Sequence, residues 1–384
     1  MLLSGGKIVS CSGVLDPGWV RVSGALIEAV GADYPVPARP GEATIDLSQH
    51  WVLPGLVDLH CHGGRGTVFR DSDPGKVISA MNYHRRSGTT SLWASLSTTQ
   101  LDDMLRSIAL LADLTGQNDI DGIHLEGPFL SPARRGAQNL RYLLAPDRQI
   151  MARLLKAGRG AVRMVTIAPE LPGAFDLIRQ VADTGAIPAM GHTDATYEQA
   201  QKAVDIGVRV ATHLFNGMRP VHHREPGPVL AALERPEVYC ELIADGTHLH
   251  PAVIRRVVAT KGSNRVVFVT DATVAAGMRD GTYWMGGREV VVRSGAARLV
   301  EDGSLTGSTI TASSGLSWAV KGAGLAIDTA VRMAAETPAA LAGLSREHGS
   351  IRVGARADLL ICDGNLALKG VMSAGKWLTA LCAS

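Results

Sequence analysis

The sequence has few aromatic residues, no strong excess of charge of either sign and no long apolar run. Phe, Trp and Tyr make up 4% of the 384 residues, which disfavours a surface that stacks nucleic-acid bases. The 38 basic and 36 acidic residues give a formal net charge of +2, without the basic excess of a general nucleic-acid binder. The apolar runs stay below the roughly 18 residues that a membrane span requires. The near balance of charge still permits one basic pocket for an anionic ligand.

Cysteine is also scarce. The five cysteines are widely spaced and form no Cys-x-x-Cys pair. This usage is typical of reduced thiols and predicts a cytoplasmic protein rather than a disulfide scaffold. The first residues lack the basic segment and apolar run of a secretory signal. The five are Cys11, Cys61, Cys240, Cys362 and Cys382.

The two ends of the chain resemble each other and differ from the middle. Short strand-like pieces separated by Gly and Pro fill residues 1–52 and recur in the last 35 residues. We therefore predict one small β-sandwich domain built from residues 1–52 plus 345–384. Residues 53–344 are predicted to form the main domain.

The middle of the chain alternates between strand-like and helix-like segments. Eight alternating units are typical of a (β/α)8 TIM-like barrel, so we predict the α/β class. The helix-like segments include 101–115, 146–157, 174–184, 197–206 and 250–260. The eight strand-like runs are 51–60, 90–97, 120–126, 161–168, 186–192, 208–213, 238–245 and 265–271.

Histidines and carboxylates stand where these runs end. In such barrels the active site lies at the carboxyl ends of the strands, so residues far apart in sequence meet on one face. Each one alone is better explained as an ordinary polar residue, but the set predicts a metal centre. The set comprises His60, His62, Glu126, His192, His213 and Asp271, and the seventh run leads into His248.

The segment His60-Cys61-His62 offers two imidazoles on one side of an extended chain, because residues two apart point the same way. Two surface histidines in a loop are the alternative. If both imidazoles bind one ion, Cys61 points to the opposite side, which favours a buried thiol over a thiolate ligand. Asp271, at the end of the last run, can take a proton from an activated water and return it to a leaving nitrogen. The alternative for Asp271 is a helix N-cap.

Several longer motifs together resemble the amidohydrolase superfamily and, within it, the N-acetylglucosamine-6-phosphate deacetylase family. The resemblance runs over nearly the whole chain. Two motifs are superfamily-wide: PGLVDLHCHG at 54–63 and GSIRVGARADLLICD at 349–363. Others are specific to the deacetylases: HLEGPFL (124–130), TIAPE (166–170), GHTDAT (191–196), THLFNGM (212–218), REPG (224–227), ADGTHL (244–249) and VTDAT (269–273).

The resemblance implies hydrolysis of N-acetyl-D-glucosamine 6-phosphate to D-glucosamine 6-phosphate and acetate. A metal-activated water would attack the amide carbonyl, with Asp271 as general base and then acid. The family pattern also implies a homodimer in which Arg224 reaches the neighbouring site. It assigns Glu126, His192 and His213 to the main metal, Asn216 and Gly217 to backbone amides that face the substrate, and Arg224 and His248 to the sugar phosphate.

Two departures from the family pattern shape the expected metal centre. Some members lack the full His-x-His and bind one metal, whereas His60 and His62 are both present here. We therefore expect two divalent metals bridged by Glu126. Gln138 occupies the place of a substrate-contacting histidine, so the second metal is expected to polarise the carbonyl. The donor set accepts Zn²⁺, Fe²⁺, Co²⁺, Mn²⁺ or Ni²⁺.

Other functions remain open at this point. A deacetylase of N-acetylgalactosamine 6-phosphate would need nearly the same residues. A cyclic amidase of the superfamily would need a lysine at the end of the fourth strand, and Thr166–Glu170 contains none. A metal-free scaffold would have lost ligands, and all are present. The long segment 277–315 is expected to form a hairpin and a glycine-rich loop over the pocket, as a mobile lid or as a simple surface insertion.

Overall fold

The computed structural model describes residues 1–117, 120–285 and 287–381. Two compact units divide the chain: Met1–Asp58, His84–Ser91 and Thr311–Ser384 form one, and Leu59–Tyr83 with Leu92–Ile310 form the other. The domain bounds expected from the sequence stay a prediction. The four described cysteines form no disulfide with one another, and Cys382 lies outside the described residues.

Eight strands from the two chain ends form one mixed sheet, which confirms the small β domain. The strands are β1 (Leu2–Ser10), β2 (Gly13–Ser23), β3 (Leu26–Gly31), β4 (Thr44–Asp46), β5 (His50–Pro54), β19 (Leu359–Asp363), β20 (Leu368–Ser373) and β21 (Lys376–Thr379). The sheet runs in the order β21-β20-β19-β5-β1-β2-β3, and β4 pairs with β1. Its buried face includes Leu3, Ile8, Val20, Val52 and Leu359.

The predicted barrel is confirmed, and each of the eight runs contains a strand. In sheet order the strands are β6 (Leu56–Cys61), β9 (Thr89–Ser97), β10 (Gly122–Glu126), β11 (Val162–Ile167), β12 (Ile187–Met190), β13 (Val210–Ala211), β14 (Tyr239–Ile243) and β15 (Val266–Val269). All the pairings from β9 to β15 are parallel, and the bridge between Cys61 and Ala272 brings the last strand towards the first. Only the first run divides, since His50–Pro54 joins the terminal sheet and the barrel begins after Gly55.

The helices between these strands follow from amphipathic spacing and from caps. In the fourth helix Ala174, Leu177, Ile178 and Val181 are buried, which is the i, i+3, i+4, i+7 stripe of a core-facing helix. All five predicted helices are confirmed to within two residues at each end. The helices are α1 (Pro74–Arg86), α2 (Leu101–Gly116), α3 (Arg148–Ala157), α4 (Ala174–Asp183), α5 (Tyr197–Ile206), α6 (Gly227–Glu234), α7 (Pro251–Lys261), α8 (Ala312–Lys321), α9 (Ile327–Val331) and α10 (Thr337–Leu341).

The segment after the last barrel strand forms a small antiparallel sheet, where a strand pair was expected. Its strands are β16 (Gly281–Met285), β17 (Arg288–Arg293) and β18 (Ala296–Leu299). Val290 and Leu299 are buried against Val274, so the sheet has a small core of its own. A two-stranded hairpin, β7 (Gly63–Gly64) and β8 (Thr67–Val68), follows the first barrel strand. Among the described residues, no helix has the length and apolar character to span a membrane.

Candidate active site

Three of the predicted site residues occupy the same unusual backbone position. His192, His213 and Asp271 each stand two residues beyond the end of their strand, at Met190, Ala211 and Val269. Their φ angles are +45°, +32° and +47°, in the left-handed region that L-residues rarely adopt. Such strained residues persist where the surrounding structure holds them, and they concentrate at functional sites. Here each turn directs a side chain into the mouth of the barrel.

His60, His62 and Asp271 form a first cluster. The Nε2 atoms of the two imidazoles are 3.1 Å apart. Asp271 Oδ1 lies 3.6 Å from His60 Nε2 and 3.4 Å from His62 Nε2. The three donor atoms lie within 4.8 Å of one another, and all three residues are buried, as a metal site requires.

Glu126, His192 and His213 form a second cluster. Glu126 Oε1 lies 3.1 Å from His192 Nε2 and 3.0 Å from His213 Nε2. The two imidazole Nε2 atoms are 3.2 Å apart. Glu126 Oε2 lies 3.4 Å from Nε2 of His62, in the first cluster. One carboxylate therefore presents an oxygen to each cluster, which is the arrangement of a bridging ligand.

The residues present fit divalent cations. Imidazole nitrogens and carboxylate oxygens are the donors that Zn²⁺, Fe²⁺, Co²⁺, Mn²⁺ and Ni²⁺ accept. Glu126, Asp271 and the nearby Glu241 are three buried carboxylates, and their ion-pair partners among the described residues are all histidines. Buried negative charge that no lysine or arginine neutralises is costly, so the site favours a cation.

In the two clusters, the carboxylates and the histidines shift each other's pKa values towards the charged forms. Burial opposes a charge on His60, but the carboxylates of Glu241 and Asp271 outweigh it and raise the pKa of the ring to about 10. Burial likewise opposes ionisation of Glu126, and His192 and His213 outweigh it, so its pKa lies well below the usual range. His60 and His62 lower the pKa of Asp271 in the same way, against the effect of its burial. Asp271 is therefore a carboxylate at neutral pH.

Contacts behind the clusters hold the rings in place. Arg134 O lies 2.9 Å from His192 Nδ1, so Nδ1 donates to it and Nε2 faces Glu126. Gln138 donates from Nε2 to Glu126 Oε2 at 2.5 Å, and its Oε1 accepts from the backbone N–H of Thr98 at 2.9 Å. Gln138, which was expected to contact the sugar, thus also holds the bridging carboxylate.

Two buried residues beneath the clusters were missed by sequence reasoning. Glu241, on β14, accepts a hydrogen bond from His60 Nδ1 at 3.0 Å. His124, on β10, lies edge-on to His60 with ring centroids 4.5 Å apart and contacts Thr166 Oγ1 at 2.8 Å. Burial and the neighbouring His60 lower the pKa of His124 well below its usual value, so it is neutral. The signal for both was a charged or ionisable residue inside an otherwise apolar run.

A cavity of about 400 Å³ opens above the clusters. Its wall contains His62, Glu126, His192, His213 and Asp271 together with segment 303–307, which was expected to lie over the pocket. Whether that segment moves stays a prediction.

Four of the predicted substrate residues line the cavity, including Gln138. His248 lines it and is held through Nδ1 by Asp245 Oδ2 at 2.7 Å. The backbone N–H of Asn216 already donates to His213 O at 2.9 Å, and its side-chain Nδ2 donates to the same oxygen at 3.3 Å. Gly217 has a φ of +60°, and an added Cβ would lie 2.8 Å from His192 Nδ1, so only glycine fits.

Arg224, which was expected to bind the sugar phosphate, and Arg70 occupy different places. Arg224 is exposed, contacts His223 Nε2 at 2.7 Å and is not part of the cavity wall of its own chain. Arg70, which sequence reasoning missed, does line the cavity. Burial lowers its pKa, against the opposing effects of Asp103 and Tyr142. No ion pair joins Arg70 to any carboxylate in the part of the chain that the structure describes.

Comparisons with known proteins agree with this geometry. The model of the amidohydrolase family matches residues 51–378. The N-acetylglucosamine-6-phosphate deacetylase of Bacillus subtilis is 33% identical over 96% of this chain and 97% of its own. The N-acetylgalactosamine-6-phosphate deacetylase of Escherichia coli O157:H7 is 31% identical, with coverage of 96% and 97%.

A solved structure is more similar still. It is an N-acetyl-D-glucosamine-6-phosphate deacetylase from Mycobacterium smegmatis, an aspartate-to-alanine mutant in complex with N-acetyl-D-glucosamine-6-phosphate. It is 41% identical, covers 99% of both chains and superposes with a TM-score of 0.94. The chain therefore belongs to the amidohydrolase family of metal-dependent hydrolases. Within that family it is an enzyme of the N-acetylglucosamine-6-phosphate deacetylase group.

Proposed function

We propose that this enzyme hydrolyses the N-acetyl group of N-acetyl-D-glucosamine 6-phosphate to give D-glucosamine 6-phosphate and acetate. The observation that carries the proposal is the pair of donor clusters that share Glu126 at the floor of one cavity. The relatives of 33% and 41% identity named for this activity support the choice of substrate.

The two clusters would hold two divalent cations. His60, His62 and Asp271 would bind one, Glu126, His192 and His213 the other, with Glu126 as the bridge. When bound, such cations supply Lewis acidity that activates water and polarises the amide carbonyl. Their number and identity are part of the proposal.

Asp271 is the residue that moves the proton. Its carboxylate is ionised at neutral pH because His60 and His62 lower its pKa. Asp271 belongs to the first cluster and also lines the cavity, so its carboxylate can reach both a water and the scissile amide. It would take a proton from the attacking water and deliver it to the amine nitrogen as the C–N bond breaks.

The remaining polar residues would bind the sugar and its phosphate. His248, fixed by Asp245, offers its other ring nitrogen to the cavity. Arg70 adds a cation on the cavity wall. Asn216 and Gly217 line the same space, and Gln138 keeps Glu126 in place.

Arg224 would serve the cavity of a second subunit. It is exposed and outside its own cavity wall, so a phosphate contact requires a neighbouring chain. A guanidinium suits phosphate because its planar fork donates two parallel hydrogen bonds. The enzyme would then be a homodimer. Its cytoplasmic location stays a prediction from the sequence.

Acetate release tests the proposal. The enzyme, purified without chelator, would be supplied with N-acetylglucosamine 6-phosphate, the unphosphorylated sugar and N-acetylgalactosamine 6-phosphate. We expect kcat/KM to be highest for the first. Comparable rates with the unphosphorylated sugar would contradict the phosphate site, and no release from any of the three would contradict the deacetylase.

Deacetylation of N-acetylgalactosamine 6-phosphate is the second candidate. One relative of 31% identity is named for that activity. The two substrates are epimers at one hydroxyl, so the same metal centre would serve both. The rate ratio for the two phosphorylated sugars decides between them. A cyclic amidase is disfavoured because residues 166–170, at the end of β11, include no lysine to carry a bridging carbamate.

A further inference from the structure

Glu241 lies beneath the two clusters and contacts one histidine of each. Its side chain is fully buried on β14. Oε2 accepts from Nδ1 of His60 at 3.0 Å and from the backbone N–H of His213 at 3.1 Å. A single carboxylate oxygen thus joins the ring of one residue to the backbone of the other.

The bond to His60 decides which ring nitrogen can bind a cation. A carboxylate oxygen only accepts, so Nδ1 of His60 carries the hydrogen and Nε2 faces the first cluster. That Nε2 lies 3.1 Å from His62 Nε2. The ring of His213 receives no such help, because Glu241 contacts only its backbone. Glu241 therefore orients a ligand ring in the first cluster and not in the second.

The negative charge of Glu241 also favours a cation at the first cluster. Its Oε1 atom is buried and has no hydrogen-bond partner among the described residues. The one ion-pair partner that the described residues supply is His60. Burying an ionised carboxylate with a single ion-pair partner raises the free energy of the folded protein, and a nearby cation offsets most of that increase. The donor set that Glu241 contacts through a side chain is the one that contains His60.

We propose that Glu241 is a positioning residue that makes the first cluster a cation site, so that each chain holds two cations instead of one. This inference rests on the metal centre of the proposed function. Without the Glu241 carboxylate, Nδ1 of His60 loses this acceptor, while Glu126, His192 and His213 keep all their contacts with one another.

Zinc titration tests the proposal. Metal-free wild type and E241Q would be titrated with Zn²⁺ against a chromophoric chelator, and bound zinc would be counted after gel filtration. The wild type is expected to bind two Zn²⁺ per chain. E241Q is expected to bind one with wild-type affinity and the other about 10- to 100-fold more weakly. E241D, which keeps the charge but withdraws the oxygen, tests the same point if E241Q folds poorly.

Asp245 provides a matched control. It lies four residues along the chain and holds the ring of His248 at 2.7 Å, outside both clusters. D245N is therefore expected to keep both zinc ions at wild-type affinity. A double variant with H60N checks that Glu241 acts through His60, because E241Q should then weaken zinc binding no further.

Three results would overturn the proposal. Both zinc ions could bind to E241Q and E241D with wild-type affinity. Both could weaken equally, which would indicate a general structural role. The wild type itself could bind a single zinc, which would remove the first cluster as a cation site. Acetate release by the wild type, measured on the same preparation, tests the proposed function separately from these outcomes.

Discussion

The backbone N–H of Asp271 donates to the carbonyl of His60 at 2.8 Å, and the side chains of the same two residues meet at 3.6 Å. The bond lies where the last barrel strand meets the first, next to the bridge between Cys61 and Ala272. The contact that brings the barrel towards closure therefore also sets the distance between the proposed base and a proposed metal ligand. The hydrogen bond from Asp271 N–H to His60 O thus contributes both to the barrel and to the geometry of the site.

Asp271→Asn tests the proposed proton transfer. The amide is nearly isosteric, so the fold and the backbone bond to His60 should persist. Loss of the ionised carboxylate should lower kcat on the order of 10³-fold or more, since proton transfer and water orientation are both impaired. Steady-state acetate release measures this. A near-normal kcat would remove Asp271 from the mechanism.

Gly217→Ala tests the packing of His192. An added Cβ would lie 2.8 Å from His192 Nδ1, where Arg134 O also contacts the ring. We expect the ring to shift and the zinc affinity of the second cluster to fall. Gly160→Ala is the matched control, because Gly160 also has a positive φ, +86°, but an added methyl group there would meet nothing within 4 Å. Equal loss of zinc in both variants would contradict the account.

Arg224→Ala tests the contribution of a second subunit. If Arg224 binds phosphate uniformly in the ground and transition states, the substitution should raise KM and leave kcat nearly unchanged. Chains carrying Arg224→Ala and chains carrying Asp271→Asn should then complement each other when mixed and reassembled. Some sites would combine an intact Asp271 with an intact Arg224 from the other chain. An unchanged KM, or no recovery on mixing, would argue against the shared site.

Cation binding should release protons and strengthen as pH rises. The carboxylates around His60 raise its pKa to about 10 and also raise the pKa values of His62 and His192, against the effect of burial. The His60 ring is therefore protonated when no cation is bound at neutral pH, and a cation must displace that proton. Each proton displaced changes the apparent affinity about tenfold per pH unit. Calorimetry of Zn²⁺ binding in two buffers of different ionisation enthalpy counts the protons, and zero release would refute the prediction.

Much of the site could be predicted because barrel strands end on one face. That rule alone grouped His60, His62, Glu126 and Asp271. His60 and Asp271 are 211 residues apart in sequence, and the carboxylates of Glu126 and Asp271 lie 3.7 and 3.6 Å from His60 Nε2. The strand runs and the five helices followed from apolar periodicity in the same way. These features depend on local pattern plus one general property of the fold.

What the sequence did not reveal depends on packing between distant segments. Glu241 sits in the apolar run 238–245, and only the closed barrel shows that its carboxylate meets His60. Gln138 was expected on the sugar, but its reach to Glu126 is set by the loop that carries it. The left-handed turns at His192 and His213 are not evident from the sequence, since neither position holds the glycine that most often adopts a positive φ.

The dependence of activity on the number of bound cations per chain tests the two-cation centre most directly. The enzyme would be stripped with a chelator and its acetate release from N-acetylglucosamine 6-phosphate measured as Zn²⁺, Mn²⁺, Co²⁺, Fe²⁺ or Ni²⁺ is added back. We expect activity to be lost on stripping and fully recovered at two equivalents of the best cation per chain. Full turnover by the stripped enzyme, with metal shown absent by elemental analysis, would rule out a metal-dependent centre.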